Sequence, residues 1–384
     1  MKKILDGVRV LDLTHAWFGP MCAMILGSMG AEVIKIEPPW GEISRFRPPL
    51  FNGAGTTFMV LNHDKKGMTL NLKTEKGLKI FKDLVKISDV VMQNFSPGTM
   101  ESLGLGYDAL RELNPGIIYA ALSGFGQTGP WSRWRSFDAI GQAMSGFMSW
   151  MGEEVDPDGP PIIIVEAIGD TIPALWANIA IQGALRHRDK TGHGQMIDVA
   201  QADCMIAVAP SLLTYAMTGL KRLELREKYY TERIYDPFKA SDGWVVIAAP
   251  AGRIFDRLRE LIDTEEEEIK PRVEEWISTK TVEEALKLLV GVGVPCAPVL
   301  DSAGVYMNQH IQARNMLIEI EHPQAGKTRI PNLPLKFSET EVKAEQPSPM
   351  LGQHNEEILS KFLGYSGKEI ADLEKEGVIV TTKE

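Results

Sequence analysis

The sequence predicts an α/β protein in which a Rossmann-like large domain, built on a parallel sheet, is joined to a small α+β domain. Strand-like and helix-like segments alternate through the first 125 residues, as they do in βαβ units. The chain has 384 residues, which is more than one hydrophobic core usually serves. Near residue 220 the composition changes from mostly apolar to charged. These three observations predict two domains.

The predicted strands of the large domain lie at 8–13, 31–37, 89–95 and 117–125. A segment of helical composition at 19–30 joins the first two. This order of elements is typical of a parallel sheet covered by helices.

The middle of the chain contains a long helix and then a second domain. Residues 170–188 form an apolar helix that we expect to be buried, at a subunit interface. The charged stretch 219–233 resembles a linker, and residues 225–310 form a plausible small α+β domain. Within it, two strands are joined by a turn at 241–243.

Composition excludes several classes of function. A formal net charge of −10 makes the chain a poor nucleic-acid binder. The three cysteines, Cys22, Cys204 and Cys296, are too far apart for a metal cluster or a disulfide framework. No apolar run reaches the length of a membrane span. We therefore expect a cytoplasmic protein with no metal site, no nucleic-acid partner and no membrane partner.

Asp170 is a single acid at the start of the apolar helix, in AIGDTIPALWA. An Asp before an apolar run, with Pro173 early in the helix, is a typical N-cap. A carboxylate can also attack an acyl group and form a mixed anhydride. A helix N-terminus stabilises an anion in either case, so both interpretations stay open.

Other stretches suggest ligands less strongly. The glycine-rich loop 122–130 follows a strand and could approach a ligand closely. Basic residues at 65–66, 73, 133 and 135 could meet phosphates. A dinucleotide site with Glu37 on the ribose is disfavoured, because the first βα turn lacks the GxGxxG spacing. An NAD-dependent dehydrogenase is therefore a weak alternative.

Nine motifs follow one another along almost the whole chain. They are LDGVRVLDLTHAWFGPMCAMILGSMGAEVIKIEPP, MTLNLKTEKG, QNFSPGTMESLGLGYDALRELNPGIIYAALSGFGQTGP, FDAIGQAMSG, IGD, TGHGQMIDVAQAD, DGWVVIAA, GVPCAPV and PMLGQHNEEIL. Taken in this order, they resemble the class III CoA-transferases, the CaiB/BaiF family. Nine motifs in the same order are highly specific.

The resemblance implies a fold and an assembly. It implies a large Rossmann-like domain made from residues 1–224 and a C-terminal segment 311–384 that returns to it. The small domain is then 225–310. Two subunits are expected to thread through each other as an interlocked-ring homodimer.

The resemblance also implies an activity. CoA moves from an acyl-CoA donor to a free carboxylic acid acceptor, through an anhydride and a CoA thioester on Asp170, with no prosthetic group. Glycine-rich loops are expected to stabilise the oxyanions with backbone N–H groups. The expected CoA contacts are Leu70, Asn71, Leu72, Lys73, Asn94, Phe95 and Arg135.

Departures from the family pattern bear on specificity. Trp17 stands where some members carry a glutamine, and Pro38 and Ser102 stand where some carry a CoA-binding arginine. They argue against oxalate or formate and for a bulkier acyl group. The racemase branch places a histidine where this chain has Phe137, before Asp138, and phenylalanine cannot exchange a proton. We expect Asp138 to be an orienting carboxylate. A non-enzymatic acyl-CoA-binding protein remains an alternative of another class.

Overall fold

A computed structural model describes residues 3–156, 158–219, 233–266 and 268–382. It divides into two compact units. The first comprises Met1–Thr214 and Met316–Glu384, and the second comprises Tyr215–Asn315. Both ends of the chain thus belong to one unit.

The described chain contains two main sheets and two short hairpins. The strands are β1 (Arg9–Asp12), β2 (Glu32–Glu37), β3 (Leu50–Phe51), β4 (Ala54–Gly55), β5 (Lys65–Thr69), β6 (Val90–Gln93), β7 (Ile118–Ser123), β8 (Met196–Ala200), β9 (Ile234–Lys239), β10 (Trp244–Ala249), β11 (Cys296–Pro298), β12 (Leu317–His322) and β13 (Gly326–Pro331). The helices are α1 (Phe18–Ser28), α2 (Thr56–Leu61), α3 (Glu75–Val85), α4 (Thr99–Ser102), α5 (Tyr107–Leu113), α6 (Asp138–Met144), α7 (Phe147–Val155), α8 (Ile168–Thr191), α9 (Gln201–Ala207), α10 (Pro210–Thr218), α11 (Arg253–Ile262), α12 (Ile269–Ser278), α13 (Val282–Gly291), α14 (Ser302–Met307), α15 (Gln309–Ala313), α16 (Asn355–Leu363) and α17 (Gly367–Lys375).

The central sheet of the first unit has six parallel strands in the order β5-β2-β1-β6-β7-β8. Its middle strands are short runs of Val, Ile and Leu, such as Val10-Leu11 and Val90-Val91, whose side chains are fully buried. Strands that are apolar on both faces suit a parallel sheet covered on both sides. The four predicted strands are confirmed, each one to three residues shorter, and β5 is a strand that the sequence analysis did not predict.

Helices cover both faces of this sheet. On one face α1 and α8 pack together over Val10, Met92 and Ala120. On the other face α3, α5 and the C-terminal α16 cover Leu11 and Val91. The mixed α/β fold with a parallel central sheet is therefore confirmed.

Helix α8 extends further than the predicted 170–188, from Ile168 to Thr191, and ends where Gly192 takes a φ of +77°. Only one of its faces is buried, and Leu175, Trp176 and Ile179 remain 46%, 39% and 60% exposed. Within one chain the expectation of burial is thus met on one face only, and burial of the other face at a subunit interface stays a prediction. The helix has apolar residues on two faces, and only one of these faces packs against the sheet.

The second unit has a sheet of its own, with antiparallel strands in the order β11-β10-β9. Helices α11, α12 and α13 supply its core together with Phe238, Val245 and Ile247. The predicted turn at 241–243 joins β9 to β10, as expected. The predicted charged linker at 219–233 lies almost entirely outside the described residues.

No helix among the described residues is both long enough and apolar enough to cross a membrane.

Candidate active site

Three neighbouring strands of the large sheet end at one edge. β1, β6 and β7 lie side by side, and they continue into the segments 13–17, 94–95 and 124–125. Carboxyl ends of parallel strands are the usual place for a ligand site, because the following loops diverge there. The N-terminal end of α8 reaches the same edge, since Asp170 shares a cavity with residues of these segments.

Asp170 is the third residue of α8, and its side chain does not cap the helix. The helix begins at Ile168, and the Gly169 N–H donates to Asp138 Oδ1 at 2.7 Å. The capping interpretation of Asp170 is therefore wrong, because Asp138 of α6 satisfies this helix end instead. The absence of a side chain at Gly169 lets α6 and the start of α8 come this close, since a Cβ there would collide with the Asp138 carbonyl oxygen.

Among the described residues, one side chain donates a hydrogen bond to the Asp170 carboxylate. Gln201, the first residue of α9, donates from Nε2 to Asp170 Oδ1, and its Oε1 accepts from Ser136 Oγ at 2.6 Å. These two hydrogen bonds orient the Gln201 amide with its nitrogen toward Asp170. One carboxylate oxygen is thereby held while the other stays free for chemistry.

Burial and, to a smaller extent, the nearby Asp138 carboxylate together raise the pKa of Asp170 to about 7, against the opposing effect of the hydrogen bond from Gln201. A carboxylate that ionises near neutral pH is more basic than a free aspartate and is desolvated. Perturbed groups of this kind cluster at functional sites.

A small cavity of about 70 Å³ surrounds Asp170. Trp17 forms one wall, and its Nε1 donates to Thr171 Oγ1 at 3.0 Å, which fixes the indole beside the carboxylate. The lining residues are His15, Ala16, Trp17, Phe18, Asn94, Leu122, Ser123, Gly124, Ser136, Phe137, Asp170 and Gln201.

A larger groove of about 580 Å³ lies next to this cavity. The two share His15, Ala16 and Phe137 in their linings. Pro38 and Ser102, which stand where some family members carry a CoA-binding arginine, also line the groove. Its remaining lining residues include Leu13, Thr14, Ile36, Trp40, Glu42, Arg47, Thr99 and Leu103, together with the expected CoA contacts Leu70, Asn71, Leu72, Lys73 and Phe95.

Five of the seven expected CoA contacts line the groove, and the other two, Asn94 and Arg135, do not. Asn94 lines the small cavity instead, and its amide pairs with the His15 backbone in both directions, at 2.9 Å each. Arg135 is exposed and lines neither cavity. Among the groove residues, Leu70 is almost wholly buried, so its side chain belongs mainly to the core.

Two lysines that the sequence analysis considered for phosphate have other partners. Lys65 is buried and donates to Asp12 Oδ2 at 2.9 Å. Lys66 pairs with Glu32 and Glu357. Both are held by structural ion pairs, which a sequence pattern does not show.

Sequence reasoning missed three residues of the site: His15, Arg47 and Gln201. Arg47 lines the groove and, within the described ranges, its guanidinium makes no ion pair or hydrogen bond. Its signal in the sequence was faint, because it is one of two arginines, with Arg45, in a proline-containing loop. Gln201 lies in the motif MIDVAQAD, but nothing in the motif indicates that it faces Asp170.

No group of three or more His, Cys, Asp or Glu side chains in the described part of the chain is arranged to hold a metal ion.

The fold and the site define a class: an α/β protein with an activated carboxylate at the carboxyl edge of a parallel sheet, beside a long groove. The family model described as CoA-transferase family III matches residues 5–355. The chain belongs to CoA-transferase family III.

Curated relatives carry the names of CoA-transferases. The chain is 36% identical to a succinyl-CoA:mesaconate CoA-transferase of Haloarcula marismortui, over 93% of this chain and 96% of that protein. It is 32% identical to the succinyl-CoA:glutarate CoA-transferase of Homo sapiens, over 98% of this chain and 90% of that protein. The CoA-transferase prediction is therefore confirmed, in preference to the dehydrogenase and to the non-enzymatic binding protein.

A solved structure agrees with the fold. A CaiB/BaiF family protein from Brucella suis matches with a TM-score of 0.84 and 30% identity, over 94% of this chain and 100% of that chain. The expected resemblance to CaiB/BaiF proteins is thus confirmed at the level of structure.

Proposed function

We propose that this CoA-transferase moves CoA from an acyl-CoA donor to a free carboxylic acid through covalent intermediates on Asp170. The observation that carries the proposal is the Asp170 carboxylate itself. It is desolvated, has a pKa raised to about 7, and lines a small cavity that lies next to a long groove. Such a carboxylate is a better nucleophile than a solvated aspartate.

In the first step, an Asp170 carboxylate oxygen attacks the thioester carbonyl carbon of the donor. The C–S bond breaks, the electron pair stays on sulfur, and the products are a mixed anhydride and CoA thiolate. The thiolate then attacks the Asp170 carbonyl carbon and expels the donor acid as its carboxylate. Asp170 now carries CoA as a thioester.

The second half runs the same chemistry in reverse. An acceptor carboxylate attacks the Asp170 thioester and releases thiolate, and the thiolate attacks the acceptor's acyl carbon. The acceptor leaves as its CoA thioester, and Asp170 is restored as a carboxylate. The sequence of steps balances without a metal or a redox group, so a prosthetic group is not part of the proposal.

The neighbours of Asp170 have separate roles in this proposal. Gln201 holds one carboxylate oxygen, so that the other faces the substrate. Asp138 fixes the start of α8 through the Gly169 N–H, which places Asp170, and its negative charge keeps the nucleophile basic. Asp138 is thus a positioning residue.

The groove is the proposed CoA site. Lys73 and Arg47 are cationic side chains at its lining and suit the phosphates of CoA. Phe95 supplies an aromatic surface for the apolar part of CoA, and the segment 70–72 supplies backbone. Arg47 takes a role that other members give to arginines at the positions of Pro38 and Ser102. Asn94 shapes the turn at His15, and Arg135 contributes charge from outside the groove.

The acyl group is proposed to lie against Trp17. Relatives named for succinyl-CoA suggest succinyl-CoA as the first donor to test, with small dicarboxylic acids as acceptors. In the sequence Trp17 argued for a bulkier acyl group. The indole leaves a cavity of only about 70 Å³ in one chain, however, and the proposal is therefore a compact acyl chain close to Asp170.

The assembly and domain layout belong to the proposal as well. We assign residues 1–224 and 311–384 to the large domain and 225–310 to the small one, in an interlocked-ring homodimer. The exposed apolar stripe of α8 supports a dimer, because such a stripe is usually covered by a partner. A cytoplasmic location is proposed too, and its test is recovery of the native protein in the cytosolic fraction.

The deciding experiment is mass spectrometry of the intact protein mixed with succinyl-CoA. The expected result is a mass increase equal to CoA minus one water, as for a thioester, that maps to Asp170 and is absent from Asp170→Asn. A matched control is Asp203→Asn, an exposed aspartate on α9. Full transfer by a folded Asp170→Asn protein, or an adduct on another carboxylate, contradicts the proposal.

The same protein tests the racemase alternative. With a 2-methylacyl-CoA in deuterated water and no acceptor, a transferase introduces no deuterium at the α-carbon. Incorporation at a rate comparable to CoA transfer indicates an epimerase instead.

A further inference from the structure

His15 is the polar side chain at the junction of the groove and the cavity. The two linings share His15, Ala16 and Phe137, and of these only His15 can donate or accept a hydrogen bond. If CoA lies in the groove and its acyl carbon meets Asp170 in the cavity, the thioester sulfur lies between them. This step rests on the proposed function.

The backbone around His15 is held by buried polar side chains. Thr14 N donates to Asp12 Oδ1 at 2.9 Å, and the Thr14 carbonyl accepts from the buried Lys35 ammonium. The N–H and C=O of His15 both pair with the amide of Asn94. The position of His15 is therefore set before any ligand arrives, which is the condition for an effective catalytic hydrogen bond.

The next residue is held in the same way. Ala16 N donates to Glu42 Oε2 at 3.1 Å, while Ala16 takes a φ of +68°. A non-glycine residue in this left-handed region costs free energy, and it persists where the surroundings determine it and function needs it. The turn thus directs residues 15–17 into the cavity at an energetic cost.

The imidazole itself is free to act. It packs against Phe95 with ring centroids 5.8 Å apart. In the part of the chain that the structure describes, neither ring nitrogen has a hydrogen-bond partner. Burial lowers the pKa of His15, and the charge of Lys35 lowers it further, against opposing effects of Glu42 and Asp12. At neutral pH the ring is therefore uncharged, with one N–H donor and one acceptor.

We propose that His15 is a catalytic residue that donates a hydrogen bond to the CoA sulfur as the thiolate leaves and returns. In the first step the C–S bond breaks and the electron pair moves to sulfur, which accepts the imidazole N–H without taking the proton. In the second step the same electron pair forms the new C–S bond at the Asp170 carbonyl.

The neutral state of the ring matters to this chemistry. An imidazolium would protonate the thiolate and remove the nucleophile that each second step needs. A neutral N–H stabilises the developing negative charge and leaves the sulfur nucleophilic. Hydrogen bonds to charged groups are strong enough to change the rate roughly 10- to 100-fold.

The test compares His15→Leu, which removes the donor, with His15→Gln, which keeps an N–H group. The measured quantity is the rate at which the CoA adduct on the intact protein forms from succinyl-CoA, by rapid quench and mass spectrometry. CoA affinity is measured separately by calorimetry. His193→Leu, an exposed histidine after α8, is the matched control.

We expect His15→Leu to slow adduct formation by about 10- to 100-fold with little change in CoA affinity, and His15→Gln to recover a large part of the loss. A wild-type rate in His15→Leu overturns the proposal. So does an equal loss of CoA affinity in both variants, which indicates packing against Phe95. Neither result affects the adduct on Asp170 in the wild type, whose absence contradicts the proposed function itself.

Discussion

Asp138 and Asp170 lie on different helices, and the first determines how the second behaves. Asp138 Oδ1 accepts the Gly169 N–H at 2.7 Å, which takes over the capping role and leaves the Asp170 carboxylate unneeded for the helix. The same Asp138 charge raises the pKa of Asp170 in addition to the effect of burial. One side chain therefore both places the proposed nucleophile and keeps it basic.

Activity is expected to follow the ionisation of Asp170. The pKa of this group is raised to about 7, so kcat/KM for transfer rises between about pH 6 and pH 8 as the carboxylate forms. In Asp138→Asn the repulsion is lost, and the midpoint moves to lower pH. The measurement is the pH profile of kcat/KM, with Asp203→Asn as control. An unchanged midpoint in Asp138→Asn contradicts the electrostatic coupling.

The Asp170 side chain is expected to lower the free energy of unfolding once the pH is high enough to ionise it. Because the pKa of Asp170 is about 7 when folded and about 3.8 as the free side chain, the native state loses stability as pH rises from about 4 to 7. The resulting loss in the free energy of unfolding is up to about 4 kcal/mol above pH 7. Asp170→Asn is therefore expected to melt at a higher temperature than the wild type at pH 8, with little difference at pH 4. A variant that melts lower at both pH values shows that the carboxylate stabilises the fold.

Trp17 is expected to restrict the acyl group. Trp17→Ala removes one wall of the Asp170 cavity and the contact to Thr171. We expect kcat/KM to fall for a compact donor such as succinyl-CoA and to rise for donors with branched or aromatic acyl groups. The measurement is a panel of acyl-CoA donors. Trp244→Ala, an exposed tryptophan of the second unit, is the control. An unchanged order of donor preference in Trp17→Ala contradicts this role.

CoA affinity is expected to depend on the two groove cations. Charge-assisted contacts to phosphate contribute roughly 1.5–3 kcal/mol each, so Lys73→Ala or Arg47→Ala is expected to weaken CoA binding about 10-fold or more. Arg135→Ala, outside both cavities, is expected to have a smaller effect. Calorimetry with CoA and with dephospho-CoA identifies which cation meets the 3′-phosphate. Wild-type affinity in both groove variants shows that the phosphates bind elsewhere.

The apolar stripe on α8 is expected to be a subunit contact. Ile179 is 60% exposed in one chain, and a lysine there places a charge in the proposed interface. Sedimentation velocity is expected to show a dimer for the wild type that persists on dilution, and loss of that dimer in Ile179→Lys. Asp189→Lys, an exposed position on the same helix, is the control. A folded wild-type monomer at low concentration contradicts the interface.

Much of the fold could be predicted because it depends on local pattern. The short apolar runs at β1, β2, β6 and β7 determine buried strands, and the sheet places their carboxyl ends together. The strand β5 was missed because Lys65-Lys66-Gly67 has a polar appearance. Buried Lys65 is paired with Asp12, a neighbour in space and not in sequence, and also donates to Pro20 O and Asn62 Oδ1.

The features of the site also fall into two groups, those that the sequence determined and those that only the tertiary structure decided. The sequence by itself determined the family, the parallel sheet and the position of Asp170, since these follow from ordered motifs and periodicity. Only the tertiary structure decided that Asp138 caps α8, that Gln201 holds the carboxylate, and that Arg47 and His15 face the cavities. Those relationships join residues from separate elements, and their distances and electrostatics arise only when the elements pack together.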